Sequence, residues 1–143
     1  MVASGRLVCL TTVRKLHEMD STDYKEKLEE EGMAVYQHIV DNCETCAEQL
    51  PELIERMHNV DMSGQFMAST ARYLAAVDRI KFEPYLGQLI EGAIEKDREH
   101  KYIGSLLQSI WGEDYQDHID QLKKSDDNFR RIYKRMHPEE NVM

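Results

Sequence analysis

The sequence predicts an all-α fold, an antiparallel bundle of four to five helices with a short peripheral extension at its N-terminus. Apolar residues recur every three or four positions through most of the chain, which is the period of a helix. No pair of strand-like segments joined by a hairpin turn occurs, and seven Gly and three Pro are too few for a collagen-like or low-complexity chain. The connections between the periodic segments are short, which favours antiparallel neighbours.

Length and composition are those of a single domain with a substantial core. The chain has 143 residues, of which 41% are apolar and 31% are charged. This apolar fraction is too high for a disordered chain. No run of about 18 apolar residues occurs, so we expect no membrane span. The predicted domain covers residues 20–138, between an extension at 1–19 and a tail at 139–143.

The net charge of −9 is unevenly distributed along the chain. Residues 19–61 contain three basic and twelve acidic side chains, a deficit as large as that of the whole chain. Residues 1–18 and 123–143 each carry a net charge of +2. Because acidic surfaces repel nucleic acid and attract cationic partners, nucleic acid is not an expected partner except through residues 123–137.

The N-terminal extension differs from the rest of the chain. Arg6, Arg14 and Lys15 alternate with Ser, Thr and aliphatic residues, and no acid precedes Glu18. We expect an unstructured extension, and a mitochondrial presequence, which is also basic, hydroxyl-rich and acid-poor, is the alternative. Three Cys do not make a disulfide framework, which indicates a reducing compartment. The predicted location is intracellular and cytoplasmic, with mitochondria as the alternative.

The first helix is predicted to begin at the capping cluster Asp-Ser-Thr-Asp of residues 20–23 and to continue to Leu50. Pro51 either breaks this helix or starts a second, short helix that ends at about Asn59. The inward face of the first helix is one stripe at steps of three and four: Leu28, Gly32, Tyr36, Ile39, Cys43, Cys46 and Leu50.

Asp61 or Ser63 is expected to cap the next helix, which runs to about Arg79. Glu83-Pro84 then opens the most regular element, which Gly112 ends. Its heptad-like seam consists of Leu86, Ile90, Ala93, Asp97, His100, Gly104, Leu107 and Trp111. This seam at 86–111 is closed either within the chain or by a second copy, so a homodimer through this helix is one predicted assembly.

The last helix is predicted between Glu113 and Pro138. Residues 125–128, Ser-Asp-Asp-Asn, are expected to kink it or divide it in two, because all four favour helix caps over helix interiors. Its C-terminal part interleaves cations with aromatic residues, a pattern that can contact nucleic acid, anionic lipid or an acidic protein groove. The predicted partner-binding residues are Arg130, Arg131, Lys134, Arg135, Phe129 and Tyr133. The alternative is that these cations lie near the acidic first helix of the same molecule.

Asp97 and His100 interrupt the apolar seam, and a spacing of three places them on one face of a helix. Burial of an unpaired carboxylate or imidazole is costly, so both side chains need partners. A metal is one solution, since bundle di-iron sites use Glu-x-x-His on two helices and one Glu from each of two others. The alternative is that they pair with Arg72, with Arg79 or with each other.

The stretch from Ser69 to Leu107 resembles two consecutive helices of a ferritin-like protein, although Asp97 replaces the usual Glu. The resemblance implies an iron site. The candidate ligands in this chain are Asp97, His100, His58 and Glu31. His58 ends a second Glu-x-x-His, and Glu31 is the best remaining donor on the first helix.

Cys43 and Cys46 form a C-x-x-C motif, and His38 and His58 would complete a Cys2His2 zinc set. Because both cysteines fall on the apolar stripe in mid-helix, we expect them to be small core residues. A redox pair of the thioredoxin type would instead lie at a helix N-terminus after a strand.

No phosphate-binding loop, nucleophile elbow or His-Glu-x-x-His motif occurs in the sequence, so catalysis is not expected. The predicted function is that of a small adaptor or regulatory protein that binds a macromolecule, most simply another protein, without a cofactor. The predicted binding features are the acidic outer face of residues 23–55 and the basic end at 123–137. A ferritin-like iron-binding bundle is the first alternative, and a zinc-stabilised helical module is the second.

Overall fold

The computed structural model describes residues 21–141 and confirms the all-α fold, with six helices and no strand within that range. The helices are α1 (Ser21–Asp41), α2 (Leu50–Val60), α3 (Gln65–Lys96), α4 (Gly104–Trp111), α5 (Ile119–Ser125) and α6 (Asp127–Met136). Short 3-10 turns lie at Ala47–Gln49, Tyr115–His118 and Pro138–Asn141. The extension predicted at 1–19 lies outside the described residues. Within the described part of the chain, no helix combines the length and apolar content that a bilayer crossing requires.

Helix α1 is shorter than the sequence predicts, because it ends at Asp41 rather than at Leu50. The carbonyl of Asn42 accepts the N–H groups of Thr45 at 3.0 Å and Cys46 at 2.8 Å, so a turn replaces the last predicted helical turns. The turn keeps hydrogen bonds of helical spacing, and the apolar periodicity therefore runs through it unchanged. As predicted, Pro51 lies in the first turn of α2.

Helix α3 is broken at Asp78, whose backbone is extended (φ −163°, ψ 90°). The Asp78 carboxylate accepts the N–H of Lys81 at 3.1 Å and so caps the second half of α3. The sequence placed this boundary at Glu83-Pro84, but Pro84 lies within the second half. Pro84 has no backbone N–H, so it cannot donate the helical hydrogen bond to the carbonyl of Ile80. Ile80 is 91% exposed at the break, so water can bond to this carbonyl instead.

The prediction of one continuous helix through the seam at 86–111 is wrong. α3 ends at Lys96, and seven residues, 97–103, connect it to α4. The apolar members Leu86, Ile90, Ala93 and Leu107 are all buried in the core of the single chain. The seam is therefore closed within one molecule in this structure.

The predicted division of the last segment at 125–128 is confirmed. α5 ends at Ser125, and Asp126 caps α6 by accepting the N–H of Phe129 at 3.1 Å. The other carboxylate oxygen of Asp126 accepts the indole N–H of Trp111 at 2.8 Å. The Asp126 side chain thus caps the start of α6 and also links α6 to α4 through a hydrogen bond.

Two glycines determine how closely the elements approach. A Cβ at Gly32 would lie 2.5 Å from Cδ2 of Phe66, so the absence of a side chain lets α3 pack against α1. Gly64 has a positive φ of 81°, and a Cβ there would lie 2.9 Å from the carbonyl oxygen of Ala93. The α2–α3 loop is therefore seated against the C-terminal end of α3, beside Asp97.

Candidate functional site

The carboxylate of Asp97 accepts hydrogen bonds from backbone N–H groups of the loop that follows it. It is 2% exposed and accepts the N–H groups of Lys101 at 2.9 Å, Tyr102 at 2.7 Å and Ile103 at 2.9 Å. Three N–H donors satisfy a buried carboxylate without a metal or an ion pair. The pairing with Arg72 or Arg79 that the sequence left open is not formed: Arg72 donates to Ser69, and Arg79 donates to the carbonyl of Ile110.

His100 does not share a helix face with Asp97, so that prediction is wrong. It lies in the loop between α3 and α4 with a positive φ of 57°. His58 lies on α2 with Nε2 4.0 Å from a carboxylate oxygen of Glu95, and Glu31 lies half-buried on α1. Within residues 21–141 no three His, Cys, Asp or Glu side chains form a group that could hold a metal ion.

Asp61 plays the same part in the α2–α3 loop as Asp97 plays in the α3–α4 loop. It is 1% exposed, and its two oxygens accept the N–H groups of Gly64 at 3.1 Å and Met67 at 2.9 Å. The sequence predicted Asp61 or Ser63 as the cap of α3; the N-cap position is Gly64, and both side chains accept N–H groups of the first turn, Asp61 from Met67 and Ser63 from Gln65 at 3.4 Å. Burial raises the pKa of the Asp61 carboxyl, and these backbone donors partly offset the rise.

A cleft of about 420 Å³ opens where these two loops meet the first turns of α1. Its cations are Lys25, Lys96, Arg98 and Lys101. Lys96 donates to the carbonyl of His58, and Lys101 pairs with Glu99 at 2.7 Å. No sequence motif predicts this cleft, because its walls come from three separate segments of the chain.

The cysteines lie in the turn after α1 and not in mid-helix, so that part of the prediction is wrong. Cys46 is nevertheless a core residue, 1% exposed, as expected. Cys43 is half-buried, and its sulfur lies 3.7 Å from the hydroxyl oxygen of Tyr73. His38, the other member of the zinc set, is exposed, with Nε2 3.4 Å from the Gln49 side-chain oxygen.

The aromatic residues predicted to contact a partner at the basic end belong to the core. Phe129 is fully buried and Tyr133 is 5% exposed. Phe129 makes edge-to-face contacts with Trp111 and Tyr115 at centroid distances of 5.3 and 6.1 Å. The Tyr133 ring stacks on Phe129 and on His137. Only the cations of this set remain at or near the surface.

The cations of α6 bond within the molecule. Arg130 pairs with Asp127, and this hydrogen bond holds the pKa of the Asp127 carboxyl below its usual value. Arg131 lies 4.0 Å from a carboxylate oxygen of Glu91 on α3, and Arg135 donates to the carbonyl of Arg131 at 3.0 Å. Lys123 of α5 lies over the Tyr133 ring at 4.5 Å.

Helices α1 and α2 and the turn between them expose carboxylates rather than cations. Eight of these exposed carboxylates make up what we call the acidic face: Glu26, Glu29, Glu30, Asp41, Glu44, Glu48, Glu52 and Glu55. Within residues 21–141, no salt bridge engages any carboxylate of this face. Asp41 accepts a hydrogen bond from the neutral side chain of Gln37 at 2.9 Å. The face is therefore charged, exposed and without a cationic partner in the described chain.

A groove of about 400 Å³ runs between α1 and α2 beside this face. Its floor includes the buried side chains Val35 and Leu53, and its rim includes His38, Glu52 and Arg56. Met33, one turn before Gln37 on α1, is 48% exposed. The acidic face thus adjoins both a narrow apolar floor and an exposed flexible side chain.

Comparison with protein-family models, with curated proteins and with solved structures finds no match to this chain.

Proposed function

We propose that this protein is a non-catalytic binding module whose acidic face receives a cationic segment of another protein. The observation that carries the proposal is the lack of any salt bridge along the acidic face within the described residues. Repulsion among so many neighbouring like charges is unfavourable for folding, and a cationic partner would relieve it. Charge complementarity of this kind sets partner choice and association rate more than affinity.

The α1–α2 groove supports a partner segment that carries an apolar side chain among its cations. Val35 and Leu53 give the groove an apolar floor, while Glu52 stands at its rim. Met33 adds an exposed side chain that can adapt to different apolar surfaces. Arg56 also lines the groove, and it would repel a cation placed at that end. The cationic residues of the partner are therefore expected over the carboxylates of the acidic face rather than beside Arg56.

A peptide probe tests the proposal. The probe is a synthetic amphipathic helix with Lys on one face and Leu on the other, and fluorescence anisotropy measures its dissociation constant. We expect the triple variant Glu26→Gln, Glu30→Gln, Glu52→Gln to weaken binding by about tenfold, since charge pairs at an interface contribute on this scale. Binding to the unchanged protein should weaken as salt is raised, because exposed charges are screened.

A matched control separates the acidic face from net charge. The variant Glu113→Gln, Asp117→Asn, Asp120→Asn removes the same three charges from exposed positions around α5, and its binding should change by less than about twofold. Equal losses in the two variants would overturn the proposal, because net charge alone would then attract the peptide. Carbodiimide cross-links between the peptide and α1 or α2 would support it, and cross-links confined to other helices would contradict it.

A further inference from the structure

The proposed binding function does not use the thiols of Cys43 and Cys46. Both are free thiols, and they differ in exposure: Cys43 is half-buried, whereas Cys46 is 1% exposed. Burial raises the pKa of the Cys46 thiol, and the neighbouring Cys43 raises it further. The pair therefore combines one thiol that solvent reaches with one that the core protects.

The turn that carries the two thiols has a spacing suited to a bond between them. The carbonyl of Asn42 accepts both the Thr45 and the Cys46 N–H groups, so residues 42–46 wind as one helix-like turn. Residues three apart in a helical turn have Cα atoms about 5 Å apart. This lies within the Cα separation of about 4.4–6.8 Å that disulfides join, and a small adjustment of the turn brings the Cβ atoms to the separation of about 3.5–4.5 Å that the bond requires.

Side chains from α3 hold this turn in place. The Tyr73 hydroxyl contacts the Cys43 sulfur and also donates to the carbonyl of Val40 at 3.3 Å. Lys81 donates to the carbonyl of Glu44 at 3.2 Å, and Tyr85 donates to the carbonyl of Ala47 at 3.3 Å. The backbone around both thiols is thus anchored on each side, which limits how far the cysteines can separate.

We propose that Cys43 and Cys46 form a peroxide-sensitive dithiol that closes to an intramolecular disulfide. The Cys43 sulfur attacks a peroxide oxygen; an S–O bond forms, the O–O bond breaks, and Cys43 sulfenic acid and one water result. The Cys46 sulfur then attacks the sulfur of the sulfenic acid; the S–S bond forms, the S–O bond breaks, and a second water leaves. The two thiols supply two electrons, and the peroxide is reduced to water.

The difference in exposure assigns the two roles. The peroxide must reach the first sulfur, and Cys43 is the thiol that solvent reaches. Cys46 is the resolving thiol. An accessible cysteine with a second cysteine close to it is the arrangement expected of a peroxide sensor. In the disulfide, the Cys43 sulfur leaves the Tyr73 hydroxyl, so oxidation changes a contact between the turn and α3.

The experiment uses the full chain with Cys9→Ser, which removes the third cysteine of the sequence. The protein is treated with hydrogen peroxide, its remaining thiols are blocked with N-ethylmaleimide, and its intact mass is measured. We expect a mass lower by two hydrogen atoms with no N-ethylmaleimide adduct, and dithiothreitol should restore both thiols. Peptide mapping should place the link between Cys43 and Cys46.

Two matched variants in the same background test the roles. With Cys46→Ala, which leaves a small apolar residue in the core, dimedone should trap a sulfenic acid on Cys43. With Cys43→Ser, the trapping of Cys46 should be about tenfold slower, because a buried thiol of raised pKa reacts poorly. Circular dichroism establishes that each variant is folded, and peptide mapping of the Cys9→Ser protein decides the proposal if either is not.

Three results would overturn the proposal. Both thiols could stay free after peroxide treatment, disulfides could form only between chains, or Cys46 could be trapped faster than Cys43. Each result contradicts a different step of the proposal, and none depends on the acidic face binding a partner.

Discussion

Helices α1 and α2 and helix α6 are amphipathic elements of opposite charge, and they use their charged residues differently. The cations of α6 bond to Asp127 next to them, to Glu91 of α3 and to backbone carbonyl groups. The carboxylates of the acidic face have no salt bridge within residues 21–141. The sign and size of a helix's charge therefore do not identify a binding surface; what identifies it is whether the rest of the fold already pairs that charge.

The difference follows from how many opposite charges lie close to each of these helices. Residues 19–61 contain only three basic side chains against twelve acidic ones, so most carboxylates there have no cation within reach. α6 begins at Asp126 and Asp127 and packs against α3, which brings acids to it. Within the described chain, no salt bridge joins α6 to α1 or α2, so the acidic and basic regions do not neutralise each other by direct contact.

The largest expected effect concerns the aromatic side of α6. Replacement of Phe129 by Ala removes a fully buried ring that contacts Trp111, Tyr115 and Tyr133. We expect the free energy of unfolding, measured by urea denaturation, to fall by about 3–5 kcal/mol.

The control for Phe129 is Tyr24→Ala on α1, where the ring is 39% exposed. It should cost less than about 1 kcal/mol, because a surface side chain loses little packing. Comparable losses at the two sites would contradict the distinction between the buried ring of Phe129 on α6 and the exposed ring of Tyr24 on α1.

A smaller effect is expected from Asp126→Ala. The variant loses the N-cap of α6 and leaves the indole N–H of Trp111 without its partner, which should cost about 2 kcal/mol. Trp111 is the only tryptophan of the chain, so its fluorescence should report the change directly. Glu30→Ala, on the acidic face, should change stability by no more than about 0.5 kcal/mol. An unchanged Trp111 emission would show that the indole does not depend on Asp126.

The smallest change in stability is expected when surface charges of the acidic face or of α6 are neutralised. The triple Gln variant at Glu26, Glu30 and Glu52 should keep or slightly raise stability at low salt, by up to about 0.5 kcal/mol, because repulsion within the acidic face is relieved. The double variant Arg130→Gln, Arg131→Gln should instead lower stability by up to about 1 kcal/mol, because it removes two ion pairs.

Denaturation at low and high salt checks this pair of charge variants. Salt should reduce both differences, since the residues are exposed or half-buried. A larger loss from the acidic variant than from the basic one would reverse the comparison between the two regions.

Much of the fold follows from local signals. The end of α4 at Gly112, the start of α2 next to Pro51 and the division at Asp126 all come from residues whose backbone preferences hold in almost any context. The ends of α1 and of the second half of α3 did not follow. The turn after Asp41 and the loop after Lys96 keep apolar residues at helical spacing, so periodicity alone does not distinguish them from helix.

The candidate site was predicted in part. The acidic face needed only the count of charges, and its exposure agrees with the polar side of the predicted α1 stripe. The partners of the Asp97 carboxylate could not be predicted from the sequence. The Asp-x-x-His motif has the same spacing whether the carboxylate binds a metal or accepts the N–H groups that follow it in the chain. Phe129 and Tyr133 likewise belong equally well to a basic amphipathic surface or to a core, and only their neighbours decide.

The sequence by itself determined the helical class, most of the inward faces and the uneven distribution of charge, because each depends on residues close together in the chain. Tertiary structure decided which charges are paired, which aromatic rings are buried and what Asp97, Cys43 and Cys46 contact. These depend on residues such as Glu91, Tyr73 and Trp111, which lie far along the chain from their partners and are brought to them only by packing. A charge count constrains what a region can attract, but the folded core determines which of its side chains remain free to do so.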